Sequence, residues 1–174
     1  STGDLAFGGT RITAATDYTR GSTAGAVTTG GFYAYTGAPQ SVANPCLMIQ
    51  PGGSDFAPGT LTLRIQNNGT TNITQIDVSY NLFVRNDGAR SNSFNFSHST
   101  DNSTYTTVAA LDYASTETAD ALEWVQVGSS PSRNTSITGL NIAPGGFFYI
   151  RWSSADISGM GSRDEFGLDD INIS

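Results

Sequence analysis

The 174-residue sequence contains no lysine, one histidine and one cysteine, and charged residues make up only 13% of it. Each scarcity excludes something. With Cys46 alone, no disulfide can form within the chain, and in the apolar run "CLMIQ" this thiol reads as a buried small hydrophobe. One histidine and one cysteine are too few soft ligands for zinc. The eight basic residues are all arginine and lie scattered among fifteen acids, for a formal charge of −7. Such a chain lacks the basic footprint that phosphates or an anionic membrane surface require, so neither nucleic acid nor membrane is an expected partner. No apolar run is long enough for a helical membrane span.

What is present is glycine, in 20 copies, with dense serine, threonine and asparagine and a hydrophobic fraction of 37%. That is a turn-rich, polar-faced composition with enough apolar residues for one core. The length fits a single domain. The chain opens at Ser1 rather than Met, as a processed protein or an excised piece would. The expectation is one monomeric module over residues 1–174, belonging to a longer protein that is secreted or displayed at the cell surface.

Short alternating runs bounded by Gly, Pro, Asn and Asp recur throughout, and no window holds a helical period for long. Strands are predicted at 4–8, 31–36, 46–50, 60–66, 73–85, 92–98, 104–111, 122–127, 135–142, 147–153 and 166–173, with a short helical turn near 114–121. The fold class is all-β, a two-sheet antiparallel sandwich of the jelly-roll kind. Trp124, Val125, Phe148, Ile150, Trp152 and Ile171 belong to the expected core, with Leu61, Leu63, Ile65, Ile76, Val78, Tyr80, Leu82, Phe94 and Phe96.

Side-chain alternation then assigns faces. Arg64, Arg85 and Arg151 each point away from the aliphatic set of their own strand, as do Asn81, Phe83 and Tyr149. If those strands share a sheet, its exposed face carries all six residues together, as a ligand groove or as a solvated surface tied to nearby acids.

The last strand poses a different question, because Asp164, Glu165, Asp169 and Asp170 fall within seven positions. Crowded carboxylates repel unless cations partner them, and calcium accepts six to eight oxygen ligands. Asp4, Asp164, Asp169 and Asp170, with Glu165, are the candidate set for a structural Ca2+. A hydrogen-bonded structural aspartate is the plainer reading.

The ending "DEFGLDDINIS" resembles the closing signature of MAM-type jelly rolls and related bacterial extracellular modules. "RGSTAGAVTTGGFYAY", "DFAPGTLTLRIQNNGTTNITQIDVSYNLFVR" and "ITGLNIAPGGFFYIRW" are similar to the bacterial set, and the cysteines of animal MAM domains are missing. Jelly-roll carbohydrate-binding modules imply a structural calcium at the strand ends and a sugar site on a sheet face. The function so implied is non-catalytic polysaccharide binding. The alternatives are a protein-interaction or adhesion module and, further off, a polysaccharide lyase using His98, Tyr149, Arg85 and Asn81. No G-x-S-x-G nucleophile elbow occurs.

Overall fold

A computed structural model describes residues 19–53, 55–120 and 123–174. Where apolar and polar residues alternate, the chain forms strands: β1 (Thr19–Thr23), β2 (Gly31–Tyr35), β3 (Cys46–Gln50), β4 (Gly59–Gln66), β5 (Ile73–Arg85) and β6 (Arg90–Ser99). There follow β7 (Thr106–Thr107), β8 (Tyr113–Ala114), β9 (Val125–Gln126), β10 (Arg133–Ile142), β11 (Phe147–Gly159) and β12 (Glu165–Ile173). Seven of them build the larger sheet in the order β1-β2-β3-β12-β5-β10, with β9 also pairing β5. The smaller, five-stranded sheet runs β4-β11-β6-β7, with β8 on β6. The all-β sandwich is as expected. One pair departs from the antiparallel rule: β1 lies parallel to β2.

The predicted strand at 4–8 lies outside the described residues. The strand predicted at 104–111 shrinks to β7 and is followed by a 3-10 turn, Ala109–Leu111, the one helical turn among the described residues. No helix forms over 114–120.

The core lies between the sheets. Ile76, Val78, Tyr80, Leu82 and Val84 of β5 and Phe166 and Leu168 of β12 meet Phe94 and Phe96 of β6 and Phe148, Ile150 and Trp152 of β11. Trp152 packs edge-on against Tyr80 and Phe96, with ring centres 5.5 and 5.8 Å away. Rings of this size dominate core energetics, and truncating one to alanine costs about 3–5 kcal/mol.

Of the expected core residues, Leu61 and Ile65 are only partly buried and three are exposed. Ile171 is 38% exposed and Val125 55% exposed, and Leu63 is 39% exposed. Ile171 follows a break in register between Asp169 and Asn172 where Asp170 adopts φ +49°, so the alternation slips. Val125 sits on a two-residue strand that pairs only β5.

A second apolar cluster covers part of the larger sheet's other surface. Val27, Tyr33, Tyr35, Cys46, Met48, Phe83 and Trp124 are all buried there. Cys46 has its expected role, with burial pushing its thiol up to about 12. Gly167 makes this packing feasible: a Cβ at that position would stand 3.0 Å from both the Cys46 sulfur and the Trp124 ring.

Candidate functional site

Cross-strand register fixes the outer face of the smaller sheet. Tyr149 stands between Arg64 on β4 and Ser99 on β6, and Arg151 stands between Thr62 and Ser97. Ser153 stands between Thr60 and Asn95, and Phe147 opposite Gln66. Their inward neighbours Phe148, Ile150 and Trp152 fill the core, so alternation turns this set to the outer side of the sheet, where Ser97 and Ser99 are nonetheless buried. Arg64 and the threonines of β4 are exposed, and Tyr149 and Arg151 half-buried.

Aromatic rings organise the guanidinium groups. Arg64 lies over the Phe147 ring at 4.8 Å, and Arg151 over the Tyr105 ring at 3.6 Å. Arg151 Nε donates to Thr62 Oγ1 at 2.9 Å. Tyr105, just before β7, is anchored by its hydroxyl, which donates to Asn102 Oδ1 at 2.5 Å. Tyr105 was not among the expected site residues, although the alternation of "TYTT" beside an exposed strand offered the signal.

The six expected binding residues therefore divide. Arg64, Tyr149 and Arg151 come together on the smaller sheet. Asn81, Phe83 and Arg85 belong to β5, in the larger sheet, on the surface facing away from the core. There Phe83 is buried under the second cluster. Asn81 is buried and donates to Asp170 Oδ2 at 2.9 Å. Arg85 lies 3.3 Å from Asp87 and 3.6 Å from Glu165. The shared-sheet premise fails because β5 pairs β12 and β10, whereas β4 and β11 pair each other.

The four described carboxylates of the expected calcium set also separate. Asp164 and Glu165 are adjacent on one chain and point to opposite surfaces. Asp164 is fully buried and accepts the Gly88 amide at 2.9 Å. Burial raises its pKa. Glu165, 2% exposed, lines a cavity of about 500 Å³ with Gln50, Asp87 and Arg163. Its carboxyl is pushed up to about 8, chiefly by burial and next by the charge of Asp87. Asp169 accepts the Asp170 amide at 2.9 Å, and burial raises its pKa too. Asp170 is exposed. No three His, Cys, Asp or Glu side chains among the described residues stand close enough to hold a metal ion. Asp164, Glu165, Asp169 and Asp170 thus sit among different partners, and Asp4 lies outside the described residues. Arg163 partners Asp156 instead, at 2.6 and 2.7 Å, alongside Arg90, and these bonds hold the Asp156 carboxyl below its ordinary range.

The lyase constellation is likewise not assembled. His98 is opposite Ile150 on the core side of β6, stacked on Phe148 at 5.6 Å, while Tyr149 faces outward and Arg85 and Asn81 belong to the other sheet. Burial lowers the His98 pKa.

No family model matches the sequence, and no curated protein does. Among solved structures, the chain is similar to a family 61 carbohydrate-binding module in complex with β-1,4-galactotriose, at 13% identity and a TM-score of 0.38 over 75% of this chain and 70% of that one. It is similar to a family 4 module at 13% identity and a TM-score of 0.41, covering 84% and 89%. A family 16 module matches at 12% identity and a TM-score of 0.39, covering 83% and 84%. Likeness at that level says nothing about a ligand.

Proposed function

We propose that this chain is a non-catalytic carbohydrate-binding module, which holds a polysaccharide along the outer face of its smaller sheet. The observation that supports this reading is the outer-face array of Tyr149, Phe147 and Tyr105 with Arg64 and Arg151, bordered by Thr62 and Asn95. Sugar rings offer apolar C–H faces that stack on aromatic rings, and their hydroxyls exchange hydrogen bonds with arginine, amide and hydroxyl side chains. Adjacent rungs of a sheet repeat these groups along a line, which suits a chain-like ligand. The parent would be a secreted or cell-surface protein, with the module monomeric inside it.

Affinity electrophoresis on neutral and uronic polysaccharides tests this, with wild type beside Tyr149→Ala and Arg151→Ala. Retardation lost in the variants at an unchanged melting temperature is the expected result. Retardation that persists undiminished in both would remove this face from the account. The second reading is a protein-interaction module acting through its loops, where Val42 is 84% and Met160 80% exposed. Capture of a neighbouring domain by Val42→Ser and Met160→Ser variants as strongly as by wild type would exclude it.

A further inference from the structure

We infer that the ligand of this face is an acidic polysaccharide, one whose uronate carboxylates or sulfate esters are read by Arg64 and Arg151; the inference rests on the glycan reading above. The chain holds fifteen acids, yet residues 59–66, 93–99, 105–107 and 147–155, which supply the face, contain none. They contain two arginines. Among the described residues neither guanidinium pairs with a carboxylate. Every other ion pair described joins Arg85, Arg90 or Arg163 to an acid.

Acids that follow these segments in sequence have other hydrogen-bond partners. Asp101 Oδ1 accepts the Ser103 and Thr104 amides at 2.8 Å and the Ser99 hydroxyl at 2.8 Å, closing its own turn. Asp112 accepts the Phe96 amide at 2.8 Å. Asp156 is held by Arg163, Arg90 and Asn92.

Arg64 and Arg151 occupy diagonal positions on paired strands, because Arg64 is opposite Tyr149 and Arg151 follows two residues on. Such positions lie about 7–8 Å apart, so both side chains reach one extended ligand. Arg151 spends Nε on Thr62 and makes no other hydrogen bond to described residues, and Arg64 makes none. The Phe147 and Tyr105 rings support the two guanidinium groups, and the terminal nitrogens of both make no hydrogen bond to described residues. A planar guanidinium presented edge-on matches the paired oxygens of a carboxylate or sulfate better than single hydroxyls. In a protein of net charge −7, two cations that pair with no acid among the described residues, on strands that carry none, favour an anion over a neutral sugar.

The test is affinity electrophoresis in gels containing polygalacturonate, its fully methyl-esterified form or a neutral galactan, with a single-stranded oligonucleotide of matched charge as a fourth arm. Wild type should be retarded most by polygalacturonate. Arg64→Gln and Arg151→Gln should each weaken that binding by about tenfold, as expected for one charge-assisted contact. Higher salt should weaken wild type and leave the double variant nearly unaffected. Equal retardation by the esterified or neutral polymer, unchanged by the arginine substitutions, overturns the acidic preference and leaves the glycan reading standing. Retardation by no polysaccharide overturns both. Equal binding of the oligonucleotide overturns the inference in favour of simple polyanion attraction.

Discussion

The two outer surfaces of the sandwich start from the same sequence pattern and end differently. Each places aromatic residues and an arginine on the side away from the core: Phe83 and Arg85 on β5, Phe147, Tyr149 and Arg151 on β11. On the larger sheet the loop at 24–30 brings Val27, and the segment before β9 brings Trp124, over Tyr33, Met48 and Phe83. Its arginine is enclosed by Asp87 and Glu165. On the smaller sheet Phe147, Tyr149 and Arg151 stay partly exposed among the described residues, and Arg64 and Arg151 lean on rings instead of acids. Whether an outward aromatic serves stability or recognition is thus decided by what crosses above it, not by its own strand.

Truncation should expose that difference most strongly. Phe83→Ala opens a void beneath Trp124 and should cost about 3–5 kcal/mol, while Tyr149→Ala on the open face should cost well under that. Denaturant midpoints read both, and equal losses would mean that Tyr149 is part of a packed layer.

Acid–base behaviour should divide the faces next. Glu165 is raised from 4.5 to about 8. Its folded form therefore keeps a proton that the unfolded chain releases, so stability falls as pH rises from about 4.5 to 8. Glu165→Gln should flatten that slope by a few kcal/mol across the window. A slope unchanged by the substitution would show that the cavity already hydrates the carboxylate.

Gly167→Ala is a smaller probe of the same covered layer. Its Cβ meets Cys46, Trp124 and Phe83 at 3.0–3.2 Å. Overpacking of this kind costs about 1–3 kcal/mol. Thermal melts should register it without loss of polysaccharide retardation.

The smallest effect belongs to Tyr105→Ala, which removes the ring beneath Arg151. Affinity should weaken by a few-fold with the melting temperature steady, since the loss is one cation–π support worth about 0.5–1 kcal/mol at an exposed site. A melting temperature lowered as far as by Gly167→Ala would make Tyr105 structural.

Much of this was legible from alternation alone. The inward sets on β5, β6 and β11 and the outward aim of Arg64, Tyr149 and Arg151 follow from parity, which is a local property of each strand. Sheet membership is not local. Nothing in residues 73–85 says that their neighbours are β12 and β10 rather than β4, so parity alone groups Asn81, Phe83 and Arg85 with side chains of the other sheet. The fate of the acidic ending is likewise not local. Its residues are close in sequence, but alternation at 164–165 and the bulge at Asp170 distribute them to different surroundings. Tyr105 lies just before a two-residue strand followed by a 3-10 turn, too short a stretch for alternation to assign its face.

The central claim is that recognition belongs to the uncovered face, and amide chemical-shift mapping during titration with an oligogalacturonate addresses it most directly. The account predicts shifts concentrated at Arg64, Ser97, Tyr105, Tyr149 and Arg151, with the amides of Tyr33, Met48 and Phe83 unmoved. Shifts centred instead on the Glu165 cavity or on the Tyr35–Trp124 side, with β4 and β11 silent, would contradict it.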